Sequence, residues 1–211
     1  MEYLLSTSIG YILGSFPTAF LLVKAFRGID ITKDGSGNVG ALNTIRTSKS
    51  KLIGVSVLLI DAFKGALSVF ILHLLFPESF IFPAIAMLFA VFAHCFNPWL
   101  GFKGGRGLAV TAGGGLVLFP YLVLIWVLLW VIFYLMKKNH HIANIAATIL
   151  TLFLLFNTVD IAMKYSSIKP ESSSLLIAVT TAVLIIIFIK HIEPLKEIIQ
   201  KHKTNRIIKN D

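Results

Sequence analysis

The sequence predicts an all-α integral membrane protein of about seven transmembrane helices, two of them short, with the N-terminus outside and the C-terminus cytoplasmic. Three observations carry that expectation: composition, recurrent apolar runs of spanning length, and basic residues that alternate between the loops. Hydrophobic residues make up 56% of the 211 residues and charged residues 14%, with a mean hydropathy of +0.84. A soluble domain carries about 25% charge, so this chain lacks the polar residues to cover itself in water, and lipid must cover it instead. The net charge of +9 would suggest nucleic acid in a soluble protein. Here the cations lie between apolar spans, so the expected partners are anionic headgroups and anionic substrates, with no nucleic acid. Cys95 is the only cysteine, which excludes a disulfide within the chain.

Tyr3 to Val23 is uncharged and forms the first span, since roughly 20 residues cross a hydrocarbon core of about 30 Å. Met1-Glu2 lacks the basic start of a cleaved signal peptide, so this helix is read as retained. Leu52 to Phe76 forms the second span despite Asp61 and Lys64, and Phe80 to Phe96 a shorter third. Gly107 to Met136 would make a rod of roughly 45 Å as one helix, too long for one span and too short for two full ones. Pro120 resolves this by a tight turn at Phe119-Pro120-Tyr121 that gives two abbreviated helices, spans four and five. Ile142 to Val159 and Ser172 to Ile189 supply spans six and seven. The basic residues agree with this parsing. Lys24 to Lys51, Lys103 with Arg106, Lys137 with Lys138, and the cations from Lys190 to Lys209 all fall on one side. Residues 1–192 therefore read as a transmembrane domain and 193–211 as a basic cytoplasmic or interfacial tail. In that tail Pro194 is placed to begin a helix, with Leu195, Ile198, Ile199 and His202 at helical spacing among Lys196, Lys201 and Lys203.

Two loops on the basic side carry the chemistry. Asp34-Gly35-Ser36-Gly37-Asn38-Val39-Gly40-Ala41-Leu42-Asn43-Thr44-Ile45-Arg46 is polar, glycine-dense and ends in a cation. Closely spaced glycines let backbone N–H groups converge on an anion, Ser36, Asn38 and Asn43 add donors, and Arg46 can fork onto phosphate. A turn-rich linker explains the same composition. The second loop, Gly101-Phe102-Lys103-Gly104-Gly105-Arg106-Gly107, precedes a helix whose positive end would share a site with Lys103 and Arg106. Positive-inside anchoring explains its two charges but not its four glycines in seven residues. Neither loop has Walker A spacing, so nucleotide hydrolysis is unsupported. Asp61 and Lys64, three apart in span two, read as a structural ion pair. His94 reads as a packing residue, His191 as better placed to touch an anion, and His140 and His141 as interface residues beside Lys137 and Lys138. No metal-ligand spacing occurs, and no metal or cofactor is expected.

Two segments, Gly-Ser-Gly-Asn-Val-Gly-Ala-Leu-Asn from Gly35 to Asn43 and Phe-Lys-Gly-Gly-Arg-Gly-Leu-Ala from Phe102 to Ala109, resemble the signatures of the bacterial PlsY family of acyl-phosphate:glycerol-3-phosphate acyltransferases. Gly14-Ser15-Phe16-Pro17-Thr18, Leu59-Ile60-Asp61-Ala62-Phe63-Lys64-Gly65, Ala93-His94 and Ile145-Ala146-Ala147-Thr148 also resemble family segments, in order and at similar spacing. The resemblance implies attack of the sn-1 hydroxyl of glycerol 3-phosphate on an acyl phosphate, giving lysophosphatidic acid and phosphate in phospholipid biosynthesis. It implies no dedicated protein nucleophile: the anhydride is already activated, and a substrate phosphate oxygen can take the hydroxyl proton. Ser36, Gly37, Asn38, Gly40, Asn43, Arg46, Lys103, Gly104, Gly105, Arg106 and His191 are the phosphate-binding residues it implies, with Ser36, Arg46, Arg106 and His191 supporting catalysis. The acyl tail would lie between helices. The implied location is the bacterial cell (inner) membrane with a cytoplasmic active site, supplied with acyl phosphate by a soluble enzyme.

The chain departs from the family pattern at three places: Leu42 stands for threonine, Arg106 for lysine, and Pro194 for an asparagine after His191. A paralogue with another acceptor is therefore an alternative, as is a transporter of an anionic phosphate compound. A transporter is expected to bind at mid-membrane, whereas these loops lie at one rim. The H-x-x-x-x-D signature of the soluble acyl-CoA enzymes follows none of the six histidines.

Overall fold

The computed structural model describes the backbone of residues 1–207 and the side chains of residues 1–196 and Gln200. Among the described residues all regular structure is helical: α1 (Glu2–Ser15), α2 (Thr18–Arg27), α3 (Ala41–Ser48), α4 (Lys51–Leu75), α5 (Ile81–Cys95), a 3-10 turn (Pro98–Leu100), α6 (Leu108–Leu118), α7 (Pro120–Lys137), α8 (His140–Asn157), α9 (Val159–Lys164) and α10 (Ser173–Ile207). Six of the described segments are long and apolar enough to cross a membrane, and α6, with 11 residues, is a shorter apolar helix beside them. Many large apolar side chains face outward, among them Leu59, Phe63, Leu124, Leu128 and Phe153. On α7 only Leu122 is buried. A surface of this kind is stable in hydrocarbon and not in water.

The break at Pro120 falls where its chemistry demands. Phe119 leaves helical geometry at φ −144°, ψ 69°, and Pro120 opens α7 at a position where its missing N–H costs nothing. The Leu118 carbonyl released there accepts the Ser167 N–H at 3.0 Å, which ties the α9–α10 loop to the turn.

Two expectations are corrected. The first span, expected as one helix from Tyr3 to Val23, is broken at Phe16-Pro17 into α1 and α2. Proline forces the preceding residue out of the helical region, and Phe16 sits at φ −59°, ψ 116°. At the other end, Pro194 does not begin a helix but lies inside α10, which runs unbroken past the 192/193 boundary. A proline there deletes a single helical bond, to the Lys190 carbonyl, and the turn is held by the buried His191 that precedes it. The side chains of Ile198, Ile199, Lys201, His202 and Lys203, on which the expected basic interfacial helix rests, lie outside the residues whose side chains are described.

Small residues set the helix crossings. Gly10 and Gly14 lie directly on the backbone of Ala86 and Ala90, so small residues four apart on α1 meet small residues four apart on α5. Gly65 of α4 meets Val110 of α6, and Gly113 of α6 meets Ala62 of α4, in the same manner. At one rim Glu171 accepts from Ser79 Oγ at 3.1 Å, Phe80 N at 3.0 Å and Ile81 N at 3.3 Å, capping α5. Tyr3 packs on Phe82 there, with ring centroids 5.2 Å apart. The glycine-rich loops gather at the other rim.

Candidate functional site

The first loop is shaped by one buried amide. Gly28 ends α2 in the left-handed region at φ 69°, and Gly35 and Gly37 turn the chain again at φ 61° and 65°. Asn43, in the first turn of α3 and 2% exposed, accepts the Ser36 N–H on Oδ1 at 3.0 Å and donates from Nδ2 to the Asp34 carbonyl at 3.1 Å. Any side chain at Gly35 would collide with that amide. Upstream, the Thr32 hydroxyl and N–H both bond Asp30 Oδ1 and hold its carboxyl below the usual carboxylate range. Helical spacing on α3 puts Leu42 and Arg46 on one face, and Arg27 Nε donates to the Ser48 carbonyl at 2.9 Å, fixing the far end of that short helix.

The second loop is seated by contact with α5. The Gly105 N–H donates to the His94 carbonyl at 3.1 Å, and a side chain at Gly104 or Gly105 would overlap the His94 carbonyl or ring. Both glycines are buried. Their place in the loop is close packing, and the Gly105 amide already has an acceptor within the protein. The Val39 N–H approaches the Gly104 carbonyl at 3.5 Å, joining the two loops directly. Gly107, at φ 82°, then opens α6.

Between the loops lies a polar cavity of about 670 Å³, counting its space open to solvent. Ser36, Asn38, Leu42, Asn43 and Arg46 line it from the first loop and α3, and Arg106 from the second loop. His140 and His141 line it from the start of α8, and Glu193 and Pro194 from α10. Arg106 Nη1 meets His141 Nδ1 at 3.2 Å. Lys103 is exposed and lies outside this lining; His191, 1% exposed, is buried between α8 and α10 and also lies outside it. A second, apolar cavity of about 570 Å³ opens among α6, α7, α8 and α10, beginning at Leu108 and Thr111, one turn beyond Arg106.

The Asp61–Lys64 pair lies deep in the bundle. Lys64 Nζ is 2.9 Å from Asp61 Oδ1, with both side chains under a tenth exposed, and donates to the Phe16 carbonyl at 2.8 Å. The helix break at Pro17 turns that carbonyl to the Thr18 N–H at 2.9 Å, and the buried lysine supplies its second donor. Asn97 Nδ2 donates to Ser15 O at 2.7 Å. The pair therefore binds the broken first span to α4, with His94 Nδ1 4.0 Å from the same carboxylate oxygen.

A family model for glycerol-3-phosphate acyltransferases matches residues 4–201. The chain belongs to that family. The acyltransferase is 34% identical over 201 residues to the glycerol-3-phosphate acyltransferase of Helicobacter acinonychis, covering 88% of this chain and 86% of the relative. It is 37% identical over 150 residues to that of Pelagibacter ubique, covering 71% and 76%. Its fold is similar to the crystal structure of PlsY (YgiH), an integral membrane glycerol 3-phosphate acyltransferase, in its glycerol 3-phosphate form. The TM-score is 0.79 at 28% identity, over 95% of this chain and 94% of that one.

Sequence reasoning left five wall residues of the acyltransferase cavity outside the expected site: Leu42, His140, His141, Glu193 and Pro194. His140 and His141, expected as interface residues, line the cavity, because Asn139 caps α8 through Oδ1 to the His141 and Ile142 N–H groups and turns that end inward. Asn139 before an apolar helical run was a legible cap signal. Glu193 had no such signal, since its place depends on α10 continuing past Ile189, the expected end of span seven. The three departures from the family pattern, Leu42, Arg106 and Pro194, all line this one cavity.

Proposed function

We propose that this acyltransferase moves an acyl group from an acyl phosphate to the sn-1 hydroxyl of glycerol 3-phosphate, releasing lysophosphatidic acid and inorganic phosphate. The observation that carries the reading is the polar cavity in which Arg46 and Arg106 share a wall with Ser36 and Asn38, one turn from an apolar groove. Two guanidiniums suit two phosphates, because each offers a fixed fork of donors. The groove, lined by residues such as Ala112, Trp126, Val183 and Ile187, suits the acyl chain.

The chemistry asks little of a side chain as nucleophile. The hydroxyl oxygen attacks the carbonyl carbon of the mixed anhydride, its proton passes to a phosphate oxygen, and the carbon–oxygen bond to phosphate breaks. Orientation and neutralisation of charge supply the acceleration. Ser36 and Asn38 orient the acceptor, Arg46 and Arg106 neutralise phosphate, and Asn43 holds the Ser36 loop in shape. The functional unit reaches past residue 192, since Glu193 and Pro194 belong to the wall. By the positive-inside rule the cavity rim is cytoplasmic in a bacterial inner membrane, where a soluble enzyme can deliver acyl phosphate.

A second reading, another phosphorylated acceptor, is favoured by the clustering of Leu42, Arg106 and Pro194 on the cavity wall. Purified protein incubated with palmitoyl phosphate and labelled glycerol 3-phosphate decides between them. Lysophosphatidic acid and phosphate in equal amounts are expected; no product above a heat-killed control, from protein of demonstrated fold, removes the assignment.

A further inference from the structure

We propose that His141, rather than His191, is the imidazole that holds substrate phosphate in this acyltransferase, gripping Arg106 through Nδ1 and presenting Nε2–H to the anion. The inference rests on the cavity being the glycerol 3-phosphate site. A guanidinium has donors only, so at the 3.2 Å contact Arg106 Nη1 donates and His141 Nδ1 accepts. The neutral ring then carries its proton on Nε2. That N–H has no hydrogen-bond partner among the described residues, on a side chain that lines the cavity.

The ring is held for the task. Asn139 Oδ1 receives the His141 N–H at 2.9 Å, fixing the residue in the first turn of α8. Its neighbour His140 stacks on Tyr134, with centroids 4.5 Å apart, and on Trp130 at 5.8 Å. One Arg106 N–H is thereby committed to His141, which sets the plane of the guanidinium from which its other donors project. Arg46, His140 and Glu193 are the remaining charged or titratable groups on the wall.

His191 is committed elsewhere. Trp130 Nε1 donates to Asn144 Oδ1 at 2.6 Å, which fixes the orientation of that amide. Asn144 Nδ2 therefore donates to His191 Nε2 at 3.0 Å, and His191 Nδ1 donates to the Ile187 carbonyl at 2.7 Å. Both ring nitrogens have partners inside the protein, so His191 joins α7, α8 and α10 and reaches the substrate only by losing one of those bonds.

The test is glycerol 3-phosphate binding by calorimetry, beside steady-state kinetics, on the full chain. His141→Ala removes both functions of the ring and is expected to weaken binding and raise KM about tenfold or more, with a smaller change in kcat. His141→Asn keeps an acceptor at the place of Nδ1 and should recover part of the loss. His191→Phe should lower the thermal midpoint. Binding by His141→Ala within about twofold of the wild type overturns the proposal, as does His191→Phe that loses binding at an unchanged midpoint. Wild-type binding without turnover of palmitoyl phosphate removes the donor assignment alone and leaves the binding series to decide His141. No wild-type binding overturns both readings.

Discussion

Lys64→Met isolates what the buried ion pair does. Methionine keeps most of the apolar stem and deletes the ammonium, leaving the Asp61 carboxylate, 3% exposed, with only His94 Nδ1 at 4.0 Å among the described ion-pair partners. Breaking a buried pair in this way costs about 3–5 kcal/mol. The Phe16 carbonyl also loses Lys64 Nζ at 2.8 Å but keeps the Thr18 N–H at 2.9 Å, so this second loss adds about 1 kcal/mol or less. The two losses share one nitrogen, so the total is not simply their sum, and about 3–5 kcal/mol is the working expectation. At about 2 °C or more per kcal/mol for a chain of this size, the thermal midpoint in detergent should fall by at least about 6 °C. Asp61→Asn combined with Lys64→Met removes the orphaned charge and should recover part of that fall. Tryptophan fluorescence on heating, with gel filtration of the heated sample, reads both variants. A Lys64→Met midpoint within about 2 °C of the wild type would refute the claim that the pair holds the broken first span to α4.

Arg46→Ala and Arg106→Ala should each raise the KM for glycerol 3-phosphate by about tenfold or more, since each removes a charge-assisted phosphate contact; near-normal kinetics in both would remove the two-loop phosphate site. Ala112→Trp fills the apolar groove beyond Arg106 and should shift the preferred donor to shorter acyl chains, read from rates across a chain-length series; an unchanged preference places the tail elsewhere. Single cysteines introduced at Ser79 and Lys138 should label from opposite faces of the membrane, against low background because Cys95 is buried, and same-side labelling would overturn the topology.

Apolar length and charge alternation made the helical membrane class legible, because lipid imposes that pattern on any chain that crosses it. Pro120 marked its turn for an equally local reason. Pro17 carried the same signal, yet the apolar run around it masked the break, and the partners that make the break tolerable, Lys64 and Asn97, lie far along the chain. The glycine loops were legible as a pair on one rim. That Gly104 and Gly105 serve close packing on His94, while Gly35 yields to the Asn43 amide, depends on what stands opposite each missing side chain.

The sequence by itself therefore determined the solvent, the approximate spans and the rim that holds the cations, all of which follow from local composition and hydrophobic free energy. Tertiary structure alone decided which cations and imidazoles face one another across the cavity. His141 and His191 are indistinguishable as residue types, and only the crossing of α7, α8 and α10 puts one beside Arg106 and locks the other to Asn144. Such assignments turn on distances between residues far apart in the chain, which no local pattern encodes.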